Sequence, residues 1–261
     1  MVESLELSRF AAELATASGD VILPFFRSAF RVEDKSSDGT FDPVTEADHA
    51  AELVMRRRIE EVFPTHGIIG EEFGSVREDA EYAWVLDPVD GTRAFVAGLP
   101  LWGTLIGLMR GGVPTYGVVH QPFIGEMFAG DGHQASYRGP SGERTLRTRR
   151  CAAIGDAVLS STSPRLFEGA PLAAFEAIES AVRLTRFGYD CYAYAMLAAG
   201  HIDLVIESGL KPYDVVALIP IIEGAGGIVT TWDGGTAAAG GSIVACGDPR
   251  LHEIVLPLLG G

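Results

Sequence analysis

The residues best suited to metal binding or catalysis are acids that follow short apolar runs. Asp87 and Asp90 lie three residues apart in the segment WVLDPVDGTRAF, and the proline between them restricts the backbone. We expect the apolar residues before Asp87 to form a buried strand and the chain to turn abruptly after them. Two carboxylates in such a turn can converge on one divalent cation. Gly91 and Thr92 then open a predicted helix, whose free N–H groups suit a phosphate.

Three further acidic segments occupy similar positions. Glu71 follows a short apolar run, Asp214 begins a predicted helix, and Asp48 lies three residues after Thr45 in a pattern typical of a helix capping box. Each segment alone has an ordinary structural explanation, either a solvated strand end or a helix cap. Four acidic segments that each adjoin a strand end or a helix start favour a site that binds cations.

The composition excludes several functional classes. The chain has 261 residues, of which 47% are apolar, and a formal net charge of −15. This charge disfavours binding to nucleic acid or to anionic lipid. No apolar run reaches the length of a transmembrane helix, and the N-terminus lacks the order of a signal peptide. We therefore expect a cytoplasmic protein, in which three scattered cysteines (Cys151, Cys191 and Cys246) are reduced and buried.

Hydrophobic periodicity predicts two different patterns of secondary structure along the chain. Two helices, over about 5–26 and 45–63, are followed by strands and an antiparallel meander that ends near residue 129. After residue 150 strands and helices alternate, and one of these helices is predicted to run from Asp214 to Glu223. We expect an α/β (α+β) fold with an N-terminal half, 1–150, and a C-terminal half, 151–261.

The order of the motifs resembles the inositol monophosphatase superfamily of Mg²⁺-dependent, Li⁺-sensitive phosphatases. Its signature reads D-P-(I/L/V)-D-G-T-x-N-F, and this chain has DPVDGTRAF preceded by GEE and followed by PYD. An upstream D-x-x-T-x-x-D pattern begins at Asp42. The stretches RAF, GLPLWGTL and DCYAY are more similar to the histidinol-phosphate phosphatases of this superfamily. Ala94 in place of the usual Asn and Tyr213 in place of the usual Trp weaken any transfer of inositol specificity.

The resemblance implies a layered αβαβα sandwich and a role for each candidate residue. One Mg²⁺ (or Mn²⁺) would be held by Glu71, Asp87 and the backbone carbonyl of Val89, and a second by Asp87, Asp90 and Asp214. A hydrogen-bonded pair, Thr92 and Asp48, would prepare the attacking water together with Glu71. The residues implied around the substrate are Gly91, Thr92, Gly188, Tyr189, Asp190, Glu207 and Asp214. Family members are commonly homodimers, so the resemblance makes a homodimer a candidate assembly, although nothing in the sequence fixes the oligomeric state.

Several alternatives are compatible with the same residues. Histidinol phosphate carries an ammonium and an imidazole, which two carboxylates would favour, whereas inositol 1-phosphate or a sugar phosphate would gain less from Asp190. Asp190 also begins an apolar helical run, so it is equally a candidate helix cap, and Glu207 is equally a strand-end charge. A non-catalytic module that binds cations or senses phosphate is a further alternative, while a pure scaffold would leave the acids to repel one another.

Overall fold

The computed structural model describes residues 2–28, 32–34 and 43–260. Asp42 and the polar segment 35–40 lie outside the described residues. The helices in the described part are α1 (Val2–Ile22), α2 (Glu46–Val62), α3 (Thr92–Val96), α4 (Gly169–Ala181), α5 (Asp190–Ala198), α6 (Pro212–Val215), α7 (Leu218–Gly224) and α8 (Pro249–Leu259). The strands that precede the C-terminal half are β1 (Val32–Asp34), β2 (Pro43–Thr45), β3 (Gly67–Gly70), β4 (Gly74–Val76), β5 (Tyr82–Asp90), β6 (Gly103–Arg110), β7 (Val113–Gln121), β8 (Glu126–Gly130), β9 (Ala135–Gly139) and β10 (Gly142–Thr145). The remaining strands are β11 (Val158–Ser161), β12 (Leu184–Phe187), β13 (Leu204–Leu210), β14 (Ile228–Thr231) and β15 (Gly241–Cys246).

Two mixed sheets form the framework, and a short hairpin of β1 and β2 lies outside them. The larger sheet has eight strands in the order β10-β9-β8-β7-β6-β5-β3-β4. All of its neighbouring strands are antiparallel except β3 and β5, which are parallel. The smaller sheet has five strands in the order β12-β11-β13-β15-β14, and β11 is parallel to both of its neighbours. The meander and the later alternation are confirmed.

Helices cover the sheets in the layered order that the resemblance implies. Helices α1 and α2 pack on one face of the large sheet, α5 and α7 lie between the sheets, and α4 and α8 cover the outer side of the small sheet. Alternation along strands directs side chains into separate cores. Ile106 and Val118 pack in the core beneath α1, whereas Leu105 and Val119 pack in the core with α5 and α7. The αβαβα sandwich is confirmed, while the division at residue 150 stays a prediction.

Two local predictions are wrong. The strand expected to end at Leu86 continues as β5 to Asp90, because its pairing with β6 resumes at Asp90 and Gly103 after an irregularity that accommodates the proline. The helix expected from Asp214 to Glu223 is instead two helices, and Asp214 belongs to the short α6. The sharp turn therefore comes at Gly91, whose φ of 87° is left-handed and favours glycine.

Within the described part of the chain, the helices lack the combination of length and apolar character that crossing a bilayer requires.

Candidate active site

Three carboxylates from two distant parts of the chain meet at one edge of the large sheet. Carboxylate oxygens of Asp87, Asp90 and Asp214 all lie within 4.8 Å of one another. The first two come from β5, and the third comes from α6, which packs against β5. Residues three apart in a regular strand point to opposite faces. The irregular register between Asp87 and Asp90 removes that restriction and lets both contribute to one cluster.

Glu71 adds a fourth acid to this cluster. It directly follows β3, which is parallel to β5, so the ends of the two strands lie at the same edge of the sheet. Its backbone N–H donates to the carbonyl of Leu86 at 3.2 Å, and its side chain is hydrogen-bonded to Asp87. The Asp87 side chain is buried, and its Oδ1 has no hydrogen-bond partner among the described residues.

The cluster is electrostatically unfavourable without a cation. Burial raises the pKa of Asp87 well above its ordinary value, and the charges of the neighbouring acids raise it further. Burial also raises the pKa of Asp90, and the charges of Asp190 and Asp214 add to the effect. A bound cation relieves this repulsion and pairs the buried Asp87 oxygen. Because the donors are carboxylate oxygens, they fit Mg²⁺ or Mn²⁺ better than zinc.

The end of β5 and the turn that follows it carry the Val89 carbonyl, Gly91 and Thr92, which adjoin Asp90 in the chain. A Cβ on Gly91 would lie 3.0 Å from the backbone oxygen of Leu101, so a side chain has little room there. Thr92 begins α3, and its hydroxyl donates to the carbonyl oxygen of Val89 at 3.0 Å. A carbonyl oxygen has two lone pairs. The Val89 oxygen therefore has a lone pair left for a cation. That it binds one stays a prediction.

Asp48 lies at the start of α2 and forms the predicted capping box. Its Oδ2 accepts the backbone N–H of Thr45 at 2.9 Å and the Thr45 hydroxyl at 2.5 Å. The start of α2 and α3 border one apolar cluster, which joins Ala47 to Phe95 and Trp102. The capping role is confirmed. The pairing of Asp48 with Thr92 stays a prediction.

A second pair of acids, the half-buried Asp190 and the buried Glu207, comes from the C-terminal half. Thr162 joins them, because its backbone N–H donates to Glu207 Oε1 at 2.7 Å and its hydroxyl donates to Asp190 Oδ1 at 3.3 Å. Burial raises the pKa of Glu207 to about 8, and its Oε2 has no hydrogen-bond partner among the described residues. Burial raises the pKa of Asp190 as well. The Asp190 backbone has a φ of 45°, a left-handed conformation that is uncommon outside glycine.

Gly188 and Tyr189 lead from β12 into α5. The Gly188 N–H donates to the carbonyl of Ser161 at 3.2 Å, and its φ of 82° reverses the chain. The Tyr189 hydroxyl accepts a hydrogen bond from Arg186 Nε at 2.9 Å, and the Arg186 guanidinium also lies 5.8 Å from the ring centroid. Arg186 therefore tethers the Tyr189 ring beside Asp190, the next residue.

One contact ties the second pair of acids to the first cluster. The backbone N–H of Cys191, directly after Asp190, donates to Asp90 Oδ2 at 2.5 Å. The Cys191 thiol is also hydrogen-bonded to Asp90, and burial raises the pKa of this thiol well above its ordinary value. The start of α5 therefore places Asp190 next to the carboxylates of β5.

The whole chain is similar to phosphatases of known families. Residues 3–260 match the model of the inositol monophosphatase family. The chain is 43% identical to the bifunctional phosphatase IMPL2, chloroplastic, of Arabidopsis thaliana, over 97% of this chain and 76% of that protein. It is 35% identical to a histidinol-phosphatase of Mycobacterium tuberculosis, over 83% and 84% of the two chains. A solved inositol monophosphatase from Zymomonas mobilis is 41% identical and superimposes with a TM-score of 0.87 over 98% of each chain.

The chain belongs to the inositol monophosphatase family. Members of this family are metal-dependent phosphatases, and the acidic cluster lies where three separate segments converge. The substrates are accordingly phosphate esters. The relatives include both histidinol-phosphatases and an inositol monophosphatase, so family membership alone leaves the alcohol half of the ester open.

Three residues near the site of this phosphatase were missed by the sequence patterns. Thr162 joins Asp190 to Glu207, and no motif distinguishes it from other strand-end threonines. Cys191 is buried, as expected of all three cysteines, but it also donates to Asp90. The core aromatic Tyr194 has a buried hydroxyl whose pKa is raised by burial and by the nearby charge of Glu207. For Cys191 and Tyr194, the only sequence signal of a role in the site was a polar atom within the apolar run that forms α5.

Proposed function

We propose that this phosphatase hydrolyses L-histidinol phosphate to L-histidinol and inorganic phosphate in a Mg²⁺-dependent reaction of histidine biosynthesis. The observation that carries the proposal is the second pair of acids, the half-buried Asp190 and the buried Glu207, beside the first cluster. A substrate whose alcohol half is cationic would pair with these carboxylates. The histidinol-phosphatase relatives support the same substrate.

In this proposal the metal ligands are divided between two sites. Glu71, Asp87 and the Val89 carbonyl would hold one Mg²⁺, and Asp87, Asp90 and Asp214 would hold the other. Bound Mg²⁺ stabilises the charge that develops on the phosphoryl oxygens and lowers the pKa of water. The buried Asp87 Oδ1 would be available to such a cation, since it has no hydrogen-bond partner among the described residues.

The remaining residues hold the water, the phosphate and the alcohol. The Thr92 hydroxyl donates its one proton to the Val89 carbonyl, so its lone pairs can accept a hydrogen bond from the attacking water. Asp48 would orient Thr92 by accepting this hydroxyl proton in place of the Val89 carbonyl, and Glu71 would supply a carboxylate that accepts the proton of the water. The backbone N–H groups of Gly91 and Thr92 face the phosphate.

The alcohol half is bound by residues of the C-terminal half. Gly188 and Tyr189 shape this side of the pocket, and Asp190 and Glu207 pair with the cationic groups of the substrate. Asp214 borders both the metal and the substrate. Each carboxylate recognises charge rather than a polyol hydroxyl pattern, which distinguishes histidinol phosphate from inositol 1-phosphate.

A panel of phosphate esters tests the proposal. Phosphate release is measured from histidinol phosphate, inositol 1-phosphate and a sugar phosphate, each with Mg²⁺ and with EDTA. We expect the highest kcat/KM for histidinol phosphate and no release in EDTA. A higher kcat/KM for inositol 1-phosphate, which the similarity to the Zymomonas enzyme makes the main competitor, would reject the substrate. Mg²⁺ binding without turnover of any ester would indicate a non-catalytic module.

The pH dependence of Mg²⁺ affinity gives a separate prediction. Burial raises the pKa of Asp214 from its ordinary value of 3.8 to about 7, although the backbone N–H of Lys211, which donates at 2.6 Å, opposes this shift. A carboxylate must lose its proton to bind the metal. We expect the Mg²⁺ affinity to rise with pH up to this pKa, by at most about tenfold per pH unit for this group.

The metal-free protein should show the opposite trend in stability. Its folded state binds the Asp214 proton more tightly than the unfolded state does, so the free energy of unfolding falls as pH rises from about 4 to about 7. Isothermal titration with Mg²⁺ and thermal unfolding in EDTA, both across this range, measure the two trends. A Mg²⁺ affinity that does not change with pH would contradict the prediction.

The homodimer and the cytoplasmic location also stay predictions. Light scattering by the purified protein measures its mass and tests the assembly directly.

A further inference from the structure

A carboxylate with no place in the proposed reaction is completely buried on α2. The Glu52 side chain is 0% exposed. Its Oε2 accepts the backbone N–H of Glu72 at 2.8 Å, and its Oε1 accepts the backbone N–H of Phe73 at 3.2 Å. Glu52 therefore binds the turn between β3 and β4, which is the turn that carries Glu71.

Arg56, one helical turn further along α2, completes this connection. Its Nε donates to Glu52 Oε1 at 2.7 Å, and only 12% of its side chain is exposed. Its Nη2 donates to the carbonyl oxygen of Gly74. The ion pair thus contacts the backbone of three consecutive residues, Glu72 and Phe73 of the turn and Gly74 at the start of β4.

The other side of Glu71 is packed against the same ion pair. A Cβ on Gly70 would lie 2.1 Å from Glu52 Oε1 and 2.6 Å from Arg56 Nη2. No side chain fits there without displacing the pair. Gly70, which precedes Glu71, is therefore in close contact with Glu52. Glu72, which follows Glu71, donates its backbone N–H to Glu52.

A buried ion pair adds little to the free energy of unfolding, because desolvation offsets much of the attraction between its charges. Its best use is to impose one geometry, and here that geometry is the path of the turn around Glu71. We propose that Glu52 and Arg56 are positioning residues that hold the Glu71 carboxylate beside Asp87 for metal binding. This inference rests on the proposed role of Glu71 as a Mg²⁺ ligand.

The test compares Mg²⁺ binding by variants of the purified, metal-free protein. Glu52→Gln keeps the side-chain shape but places an amide donor against the backbone N–H groups. Arg56→Lys keeps the charge but cannot bond Glu52 and Gly74 with the same planar group. Glu61→Gln is the matched control, because Glu61 pairs with Arg57 at 3.0 Å on the same helix but is 60% exposed.

We expect Glu52→Gln to raise the Mg²⁺ dissociation constant, measured by isothermal titration, by about tenfold to a hundredfold, as loss of an outer-shell partner does elsewhere. Arg56→Lys should raise it less, and Glu61→Gln should leave it within about twofold of wild type. Thermal unfolding in EDTA accompanies each titration. If both variants at the buried pair unfold at lower temperature but bind Mg²⁺ as wild type does, the pair is purely structural and the inference is wrong.

The design also separates this inference from the proposed function. Wild-type protein that binds no Mg²⁺ would reject both. Wild-type binding that the variants leave intact would reject the inference alone, and a variant effect on Mg²⁺ binding would support it even if histidinol phosphate were not the preferred substrate. Should Glu52→Gln fail to fold, Arg56→Lys carries the test, because it retains both charges.

Discussion

Replacing Asp90 by asparagine is expected to lower kcat by at least about a thousandfold, because metal-ion catalysis supplies several kcal/mol of transition-state stabilisation. Asp90 is one of three carboxylates whose oxygens lie within 4.8 Å of one another. The amide has the same shape as the carboxylate, and its oxygen can still accept the Cys191 N–H that binds Asp90 at 2.5 Å. The substitution therefore removes charge while preserving the local contacts.

The fold of this variant should be intact and its metal-free form more stable. Burial and the charges of Asp190 and Asp214 raise the pKa of Asp90, so removing its charge relieves repulsion. Phosphate release, circular dichroism and thermal unfolding in EDTA measure these effects. Asp79→Asn is the control, since Asp79 is exposed in the loop between β4 and β5. Turnover that survives in Asp90→Asn would show that Asp90 is not a metal ligand.

The second large effect concerns substrate choice. We expect Asp190→Asn to lower kcat/KM for histidinol phosphate by about tenfold to a hundredfold, the value of one charge-assisted hydrogen bond. Asparagine is preferable to alanine because Asp190 has a φ of 45°, which asparagine tolerates better. Asparagine can also still accept the Thr162 hydroxyl, now 3.3 Å from Asp190 Oδ1.

Inositol 1-phosphate provides the internal control for this substitution. Its alcohol half is uncharged, so its kcat/KM should change by less than about threefold, provided that the metal cluster is unaffected. The ratio of the two values is the measured quantity. An equal loss on both esters would mean that Asp190 acts through the neighbouring Asp90, and its role in specificity would be rejected.

Local sequence patterns predict elements that depend on neighbouring residues and fail where distant pairing decides the structure. The capping box of Thr45 and Asp48 was predictable, because it depends on residues three apart in one helix. The extension of β5 to Asp90 was not, since a proline normally ends central strands and only pairing with β6 shows that the strand resumes. The break between α6 and α7 was hidden because the apolar residues continue through it.

The roles of buried polar groups were the hardest to predict. Glu52 looks like one more charge in a charged helix, and nothing in its spacing shows that it binds the turn carrying Glu71. Cys191 and Tyr194 belong to an apolar run typical of a core helix, and both side chains are buried in the core. Their polar atoms lie near the acids only because α5 begins beside Asp90, a tertiary contact that local patterns do not show.

The linear order of residues by itself determined the pattern of helices and strands, the motifs that resemble the family, and the set of acids available for a metal, and the layered architecture was implied by that resemblance. These follow from local periodicity and from short motifs, which are properties of neighbouring residues. Tertiary structure alone decided which acids share a site, because Asp87 and Asp214 are brought together by packing of α6 on β5. It also raised their pKa values, because burial and mutual repulsion arise only after the distant segments have met.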